Sequence, residues 1–170
     1  MNNDINVWVG DLAEYNSGEL YGKWIEFPTD LDTLYNEVLK DGNEEWYIGD
    51  YDSIINLEGY SFKQINEIAE CIQGMDSLEK EIFVAMHESG FFSDLESLIE
   101  CMENNDFMTF HDCKNMSDVA YSWYEETGQM AELEKVINPF YIDWELLGRD
   151  MDIEGTYLQI NNDTFIQLFL

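Results

Sequence analysis

Charge limits this chain before any residue pattern does. Its 170 residues hold 37 Asp and Glu against 7 Lys and Arg, a formal net charge of −30. The excess is spread evenly, −12 over residues 1–60, −8 over 61–105 and −10 over 106–170. An acidic tail is excluded, because the whole body is negative. The cations, Lys23, Lys40, Lys63, Lys80, Lys114, Lys135 and Arg149, never cluster. Such a surface repels nucleic acid and anionic membranes and attracts a basic partner. B-DNA carries one charge per about 1.7 Å of axis, so thirty charges match about 50 Å of duplex. A compact globule of this length has a radius of gyration of only about 15 Å. Self-repulsion favours stretching the charge along a rod. Composition alone does not choose between rod and sphere.

The chain nonetheless has the means to fold. Hydrophobic residues make up 45% and aromatics 15%, well above disordered chains. No apolar run approaches the roughly 18 residues of a membrane helix. The start, MNNDINVWVG, has no basic region and no signal-peptide pattern, so the expectation is a cytoplasmic protein. Cys71, Cys101 and Cys113 are odd in number and lack a CxxC pair, which argues for reduced structural thiols.

Periodicity predicts three small units. In residues 1–60, INVWVGDL and LYGKWIEF read as strands, with YNSGE between them as a turn. A cap at Thr29 or Asp30 starts a helix through LDTLYNEVLK, and EWYIGDY returns as a third strand. Residues 61–105 read as helical. Ser61 and Gln64 make a capping box ahead of Ile65, Ile68, Ala69 and Ile72, and Gly74 stops that helix. A second helix runs from Ser77 to Gly90, and a third from a Ser93 cap to Asn104. In residues 106–170, FMTFH is a strand, Ser117 caps a helix that Gly128 closes, and QMAELEKVI and FYIDWELLG are helical. TYLQI and TFIQLF form a closing hairpin. The fold class is therefore α+β.

The third middle helix shows what the acids can do. Leu95, Leu98, Ile99 and Met102 form its apolar face; Glu96, Glu100 and Glu103 lie opposite. Glu96 to Glu103 spans about 10.5 Å of axis. That is one charge per about 5 Å, against one per 3.4 Å along a DNA strand. A solvated face would look the same on any single helix; repetition along the chain is what argues otherwise.

Catalytic and metal readings fare poorly. GRDMDIEGTY, Gly148–Tyr157, opens like a calcium loop, but the twelfth position from Asp150 is Asn161 instead of Glu, and TYLQI is β-like where a second helix should begin. DGNEEW, from Asp41, has Trp46 in place of the required glycine. With 37 acids, a glycosidase-like carboxylate pair always fits and so says nothing. His87 and His111 are the only histidines, and HDC offers no oxyanion hole. Phosphate-loop, dinucleotide-loop, GxSxG and HExxH patterns are missing from the sequence. Neither an enzyme nor a cofactor or metal protein is expected. The competing readings are an acidic calcium binder, a generic acidic adaptor, and a halophile-type surface, against which the bulky Ile, Phe and Tyr content weighs.

Two segments bear a family likeness. YNSGELYGKWIEFP, Tyr15–Pro28, resembles the N-terminal signature of ArdA-type antirestriction proteins. DVAYSWYEETG, Asp118–Gly128, and YIDWELLGRDMDIEGTY, Tyr141–Tyr157, resemble their C-terminal region. The resemblance implies a protein of mobile genetic elements that inhibits type I restriction-modification enzymes by mimicking bent B-form DNA in their DNA-binding groove. It implies an elongated homodimer, each subunit a line of three small domains. Here these would be a β-rich α+β domain at 1–60, a helical one at 61–105 and an α+β one at 106–170 bearing the dimer contact. The phosphate-mimicking carboxylates would be Glu96, Glu100, Glu103, Asp118, Glu125, Glu126, Asp143, Glu145, Asp150, Asp152 and Glu154, with Arg149 pairing its acidic neighbours. Phe107, Met108, Phe110 and His111, in a nearly uncharged strand, are the expected dimer interface.

Overall fold

The structure, a computed structural model, describes residues 5–40 and 42–170. Residues 1–4, at the head of MNNDINVWVG, and Asp41, which opens DGNEEW, lie outside them. The chain divides into two compact units, Met1–Lys80 and Glu81–Leu170, each built around a small three-stranded antiparallel sheet. Among the described residues, no helix is long and apolar enough to cross a membrane.

The first unit alternates β1 (Ile5–Asp11), α1 (Leu12–Ser17), β2 (Gly22–Phe27), α2 (Leu31–Val38) and β3 (Trp46–Ser53), then adds α3 (Phe62–Ile72). Its sheet order is β2-β1-β3. Alternation along β1 buries Ile5, Val7 and Val9, and Leu34 and Val38 of α2 and the Phe62, Ile65, Ile68 and Ile72 row of α3 are buried as well. The Ser61–Gln64 capping box forms as expected. The YNSGE stretch differs from expectation: residues 15–17 end α1 instead of turning freely. Asp11 caps that helix through the backbone N–H groups of Ala13 and Glu14, and Gly18, at φ 92°, closes it in the left-handed region.

The other face of this sheet carries Trp8 and Trp24, which pair directly across β1 and β2 with ring centroids 6.2 Å apart. A β-bulge between Trp8 and Val9 shifts the β1–β3 register.

The second unit runs from α4 (Ser77–Ser89), which straddles the boundary, through α5 (Leu95–Asn104), β4 (Phe107–His111), α6 (Met116–Glu126), α7 (Gln129–Leu133), a 3-10 turn at Pro139–Tyr141 and α8 (Trp144–Glu154) to the β5 (Tyr157–Gln159) and β6 (Thr164–Leu168) hairpin. The sheet order is β4-β6-β5. Phe110 and its cross-strand partner Phe165 join Cys113 and Val119 in a buried cluster, and Ile166 and Leu168 are buried as well. Helices α6 and α8 pack through Gly148, which sits against the Met116 backbone, and through Trp144, whose ring meets Tyr121 and Tyr124 edge-on.

Several expected boundaries move. Asp94 caps α5 where Ser93 was expected, and Asn115 caps α6 where Ser117 was. QMAELEKVI is helical only to Leu133, and FYIDWELLG does not stop at Gly148. The helix α8 continues to Glu154, so GRDMDIE is helical.

Candidate functional site

The expected carboxylates sit on capped helices of the second unit. On α5, Leu98, Cys101 and Met102 are buried, while Glu96, Glu100 and Glu103 share the exposed face at i, i+4, i+7 spacing. Asp94 anchors this row. It accepts the Ser97 N–H at 2.8 Å, and that bond, with the Ser97 and Ser93 hydroxyls, holds its carboxyl below the usual aspartate value. Sequence alone overlooked Cys101, the third buried residue; its spacing to Leu98 was the available signal.

On α6, Glu125 and Glu126 are exposed at the helix end, with Glu125 beside the Tyr121 hydroxyl. Asp118 is half-buried and accepts the Lys114 backbone N–H at 2.9 Å, which ties it to the entry of its own helix. On α8, Asp143, Glu145, Asp150, Asp152 and Glu154 are all exposed. Asp143 is also the cap, accepting the Leu146 N–H at 3.0 Å. Residues 150 and 154 lie on one side of the helix and 152 on another, so this stretch does not wrap a cation as a calcium loop does. Among the described residues, no group of three or more His, Cys, Asp or Glu side chains is placed to hold a metal. Glu154 also borders a pocket of about 310 Å³ shared with Trp123, Tyr157 and Gln167, whose Oε1 is buried without a donor.

Part of this set stands where helix electrostatics disfavours it, whereas Glu96, Asp118 and Glu145 in first turns and the cap Asp143 stand where it favours them. Cations are stabilising at a helix C-terminus, and a charge of either sign there is worth about 0.3–1 kcal/mol. The last turns of α5, α6 and α8 contain no basic residue and end on Glu103, on Glu125 and Glu126, and on Asp152 and Glu154. Sequences break local rules of this kind mostly at functional positions. The cations do little to relieve it. Lys23 pairs with Glu37, Lys40 with Glu14 and Glu19, Lys63 with Glu67, Lys135 with Glu132, and Arg149 with Asp150 at 3.3 Å. Arg149 pairs with its acidic neighbour as expected, and these pairs leave the surrounding excess of carboxylates intact.

The expected dimer residues divide by face. Phe110 is fully buried in the core of its own unit, and Met108 packs against the same cluster. Phe107 and Thr109 are half-buried and His111 is exposed. Within the sheet, β4 is an edge strand, bonded to β6 on one side.

A sequence-family model described as antirestriction protein (ArdA) matches residues 7–165, nearly the whole chain. The chain belongs to the ArdA antirestriction family. Every candidate carboxylate and all of β4 fall within the matched span. Among curated proteins, no match is found. Membership of the ArdA family implies an antirestriction function.

Proposed function

We propose that this ArdA protein inhibits type I restriction-modification enzymes by occupying their DNA-binding groove as a mimic of bent B-form DNA. The observation that carries this is the set of exposed carboxylates held on capped helices with acid-ended last turns, on a chain of net charge −30. A groove that grips DNA is a long basic surface, and filling it releases condensed counterions. Carboxylates fixed on helices present the same field without a base-edge code. The mimic therefore acts regardless of the sequence its target recognises, and its binding weakens steeply with salt.

The same reading takes the protein as a homodimer. The free edge of β4, Phe107–His111, is the proposed join: Met108 and Phe110 keep their side chains in the core while the strand's outer backbone groups pair with a second copy. Pairing about the middle residue brings Thr109 against Thr109 across the two-fold axis. The doubled charge of about −60 corresponds to about 100 Å of duplex.

The deciding measurement is DNA cleavage by two type I enzymes of different recognition sequence, with and without the protein, at low salt. Inhibition of both at near-stoichiometric protein is expected. Full cleavage by both at a clear excess of protein ends the reading.

A further inference from the structure

The first unit holds a cleft of about 720 Å³ on the sheet face turned away from its core, lined by Trp8, Tyr15, Leu20, Trp24, Tyr47 and Asp50 among others. A two-layer sheet normally turns polar side chains to that side. Here Trp24 is 50%, Tyr15 55% and Leu20 75% exposed. A contiguous patch of large apolar side chains on a soluble surface marks an interaction site.

Register arranges the patch in rungs. Trp24, Trp8 and Asp50 are partners across the three strands; Glu26, Asn6 and Asp52 form the next rung on the same face. An aromatic rung ending in a carboxylate therefore lies about 7 Å from a rung with a carboxylate at each end. Two glycines let the rings lie close to the sheet. A Cβ on Gly49, beside the bulge, would come within 2.7 Å of Trp8 Cδ1, and one on Gly10 within 2.4 Å of Tyr47 Cε1. Tyr15 packs on Tyr47 with centroids 5.1 Å apart.

From this juxtaposition we infer that the cleft is a binding site for a guanidinium group, the side chain of an arginine projecting from a basic partner protein. Trp24, half exposed, and Trp8, which it meets edge to face, offer aromatic surface whose quadrupole attracts a planar cation, and arginine stacks on such rings better than lysine. Asp50, in line with the tryptophans, offers the acceptor for its N–H groups. Nucleobases also stack on tryptophan, but the carboxylates of Asp50, Asp52 and Glu26 repel their phosphates. For an arginine of a DNA-binding groove, the cleft supplies both things a duplex offers, a negative acceptor and a stacked aromatic surface.

The identity of the partner rests on the proposed function, but the site is testable apart from it. The full-length protein, with its tryptophan indole N–H signals followed by NMR, is titrated with N-acetyl-arginine amide and, separately, with the lysine and leucine amides. Arginine amide is expected to shift the Trp8 and Trp24 signals with a Kd on the order of millimolar. Trp24→Ala and Asp50→Asn each weaken this about five- to tenfold, whereas Trp24→Phe retains most of it. Unmoved indole signals, equal shifts with leucine amide, or a Trp24→Ala protein that binds as well as the parent overturn the site. Lysine amide binding as tightly as arginine overturns its assignment to a guanidinium. If arginine amide binds as described but cleavage is not inhibited, the site stands and the proposed target falls. If cleavage is inhibited equally by the parent and Trp24→Ala while arginine amide leaves the indoles unmoved, the reverse holds.

Discussion

Gly148 of α8 lies directly against Met116 of α6: a Cβ at position 148 would sit 2.3 Å from the Met116 carbonyl oxygen and 2.4 Å from its carbonyl carbon. The obstacle is backbone, which cannot turn aside as a flexible side chain can. Alanine at this position gains helix propensity but forces the two helices apart. The net expectation for Gly148→Ala is a loss of about 1–3 kcal/mol, the usual cost of overpacking. Urea unfolding measures it, and an unchanged midpoint would show that α6 and α8 are not packed this closely.

A buried carboxylate makes a prediction about acid. Asp11 is fully buried and accepts hydrogen bonds from the Asn43 side chain at 2.8 Å and from the backbone N–H groups of Lys40, Glu14 and Ala13. Burial alone would raise its pKa; those donors outweigh it, led by Asn43, and hold the carboxyl below its ordinary value. A lowered folded-state value means the stabilisation is present above the unfolded pKa, about 3.9, and is lost as pH falls through the folded value. Asp11→Asn should therefore be much less stable than the parent at pH 6, with the gap narrowing below about pH 4. Equal gaps in urea midpoint at pH 6 and pH 3 would remove the carboxylate from the account.

What the sequence revealed, and what it hid, follows from the range of the forces involved. The α3 capping box and the β5–β6 hairpin are local, and both were legible, the hairpin without its register. The α1 helix was not. Its residues 15–17 favour turns, and it is held by Asp11 and by Tyr15 packing on the distant Tyr47. Nor was the extension of α8 through GRDMDIE, where contact with α6 prevails over a weak local pattern. An apolar strand reads alike at an interface or in a core, so the burial of Phe110 against Phe165 could not be foreseen. The acids were legible as exposed faces, but capping acids such as Asp94 and Asp143 look like the others until their N–H partners are seen. The aromatic cleft depends on a strand register with a bulge in it, which no local pattern encodes.

The acid-ended helices predict a conflict between stability and function. Glu126→Lys and Glu154→Lys each place a cation in the last turn of α6 and α8, and each is expected to stabilise the fold by about 0.3–1 kcal/mol at low salt. The same changes weaken inhibition of cleavage. A variant that gains stability and inhibits as well as the parent would show that its carboxylate does not face the target.

Spread charge predicts graded loss. Glu96→Gln, Glu100→Gln and Glu103→Gln taken singly should alter half-inhibition less than about threefold, since exposed charge interactions are individually weak. The triple variant should lose more than any single one and flatten the log–log salt dependence by on the order of one unit per contacted carboxylate. Their exposed positions opposite the α5 core leave the fold intact, which circular dichroism checks. One single change that abolishes inhibition would point to a discrete site in place of a charged surface.

The proposed dimer needs a probe that spares the core. Phe110→Asp would bury a charge among Cys113, Val119 and Phe165, so its failure to dimerise would report unfolding. Thr109 is a better position, because strand pairing about the two-fold sets it opposite its own copy. Like charges directly opposite across an antiparallel pair are destabilising. Thr109→Asp should shift sedimentation at micromolar concentration from dimer to monomer while leaving the far-ultraviolet spectrum unchanged. Thr109→Val, uncharged and strand-favouring, should remain dimeric. A folded Thr109→Asp protein that stays dimeric under those conditions would move the join away from β4. The monomer is also informative. It carries half the charge of the dimer, so if the mimic works by length it should inhibit cleavage far less per subunit, with a shallower salt dependence.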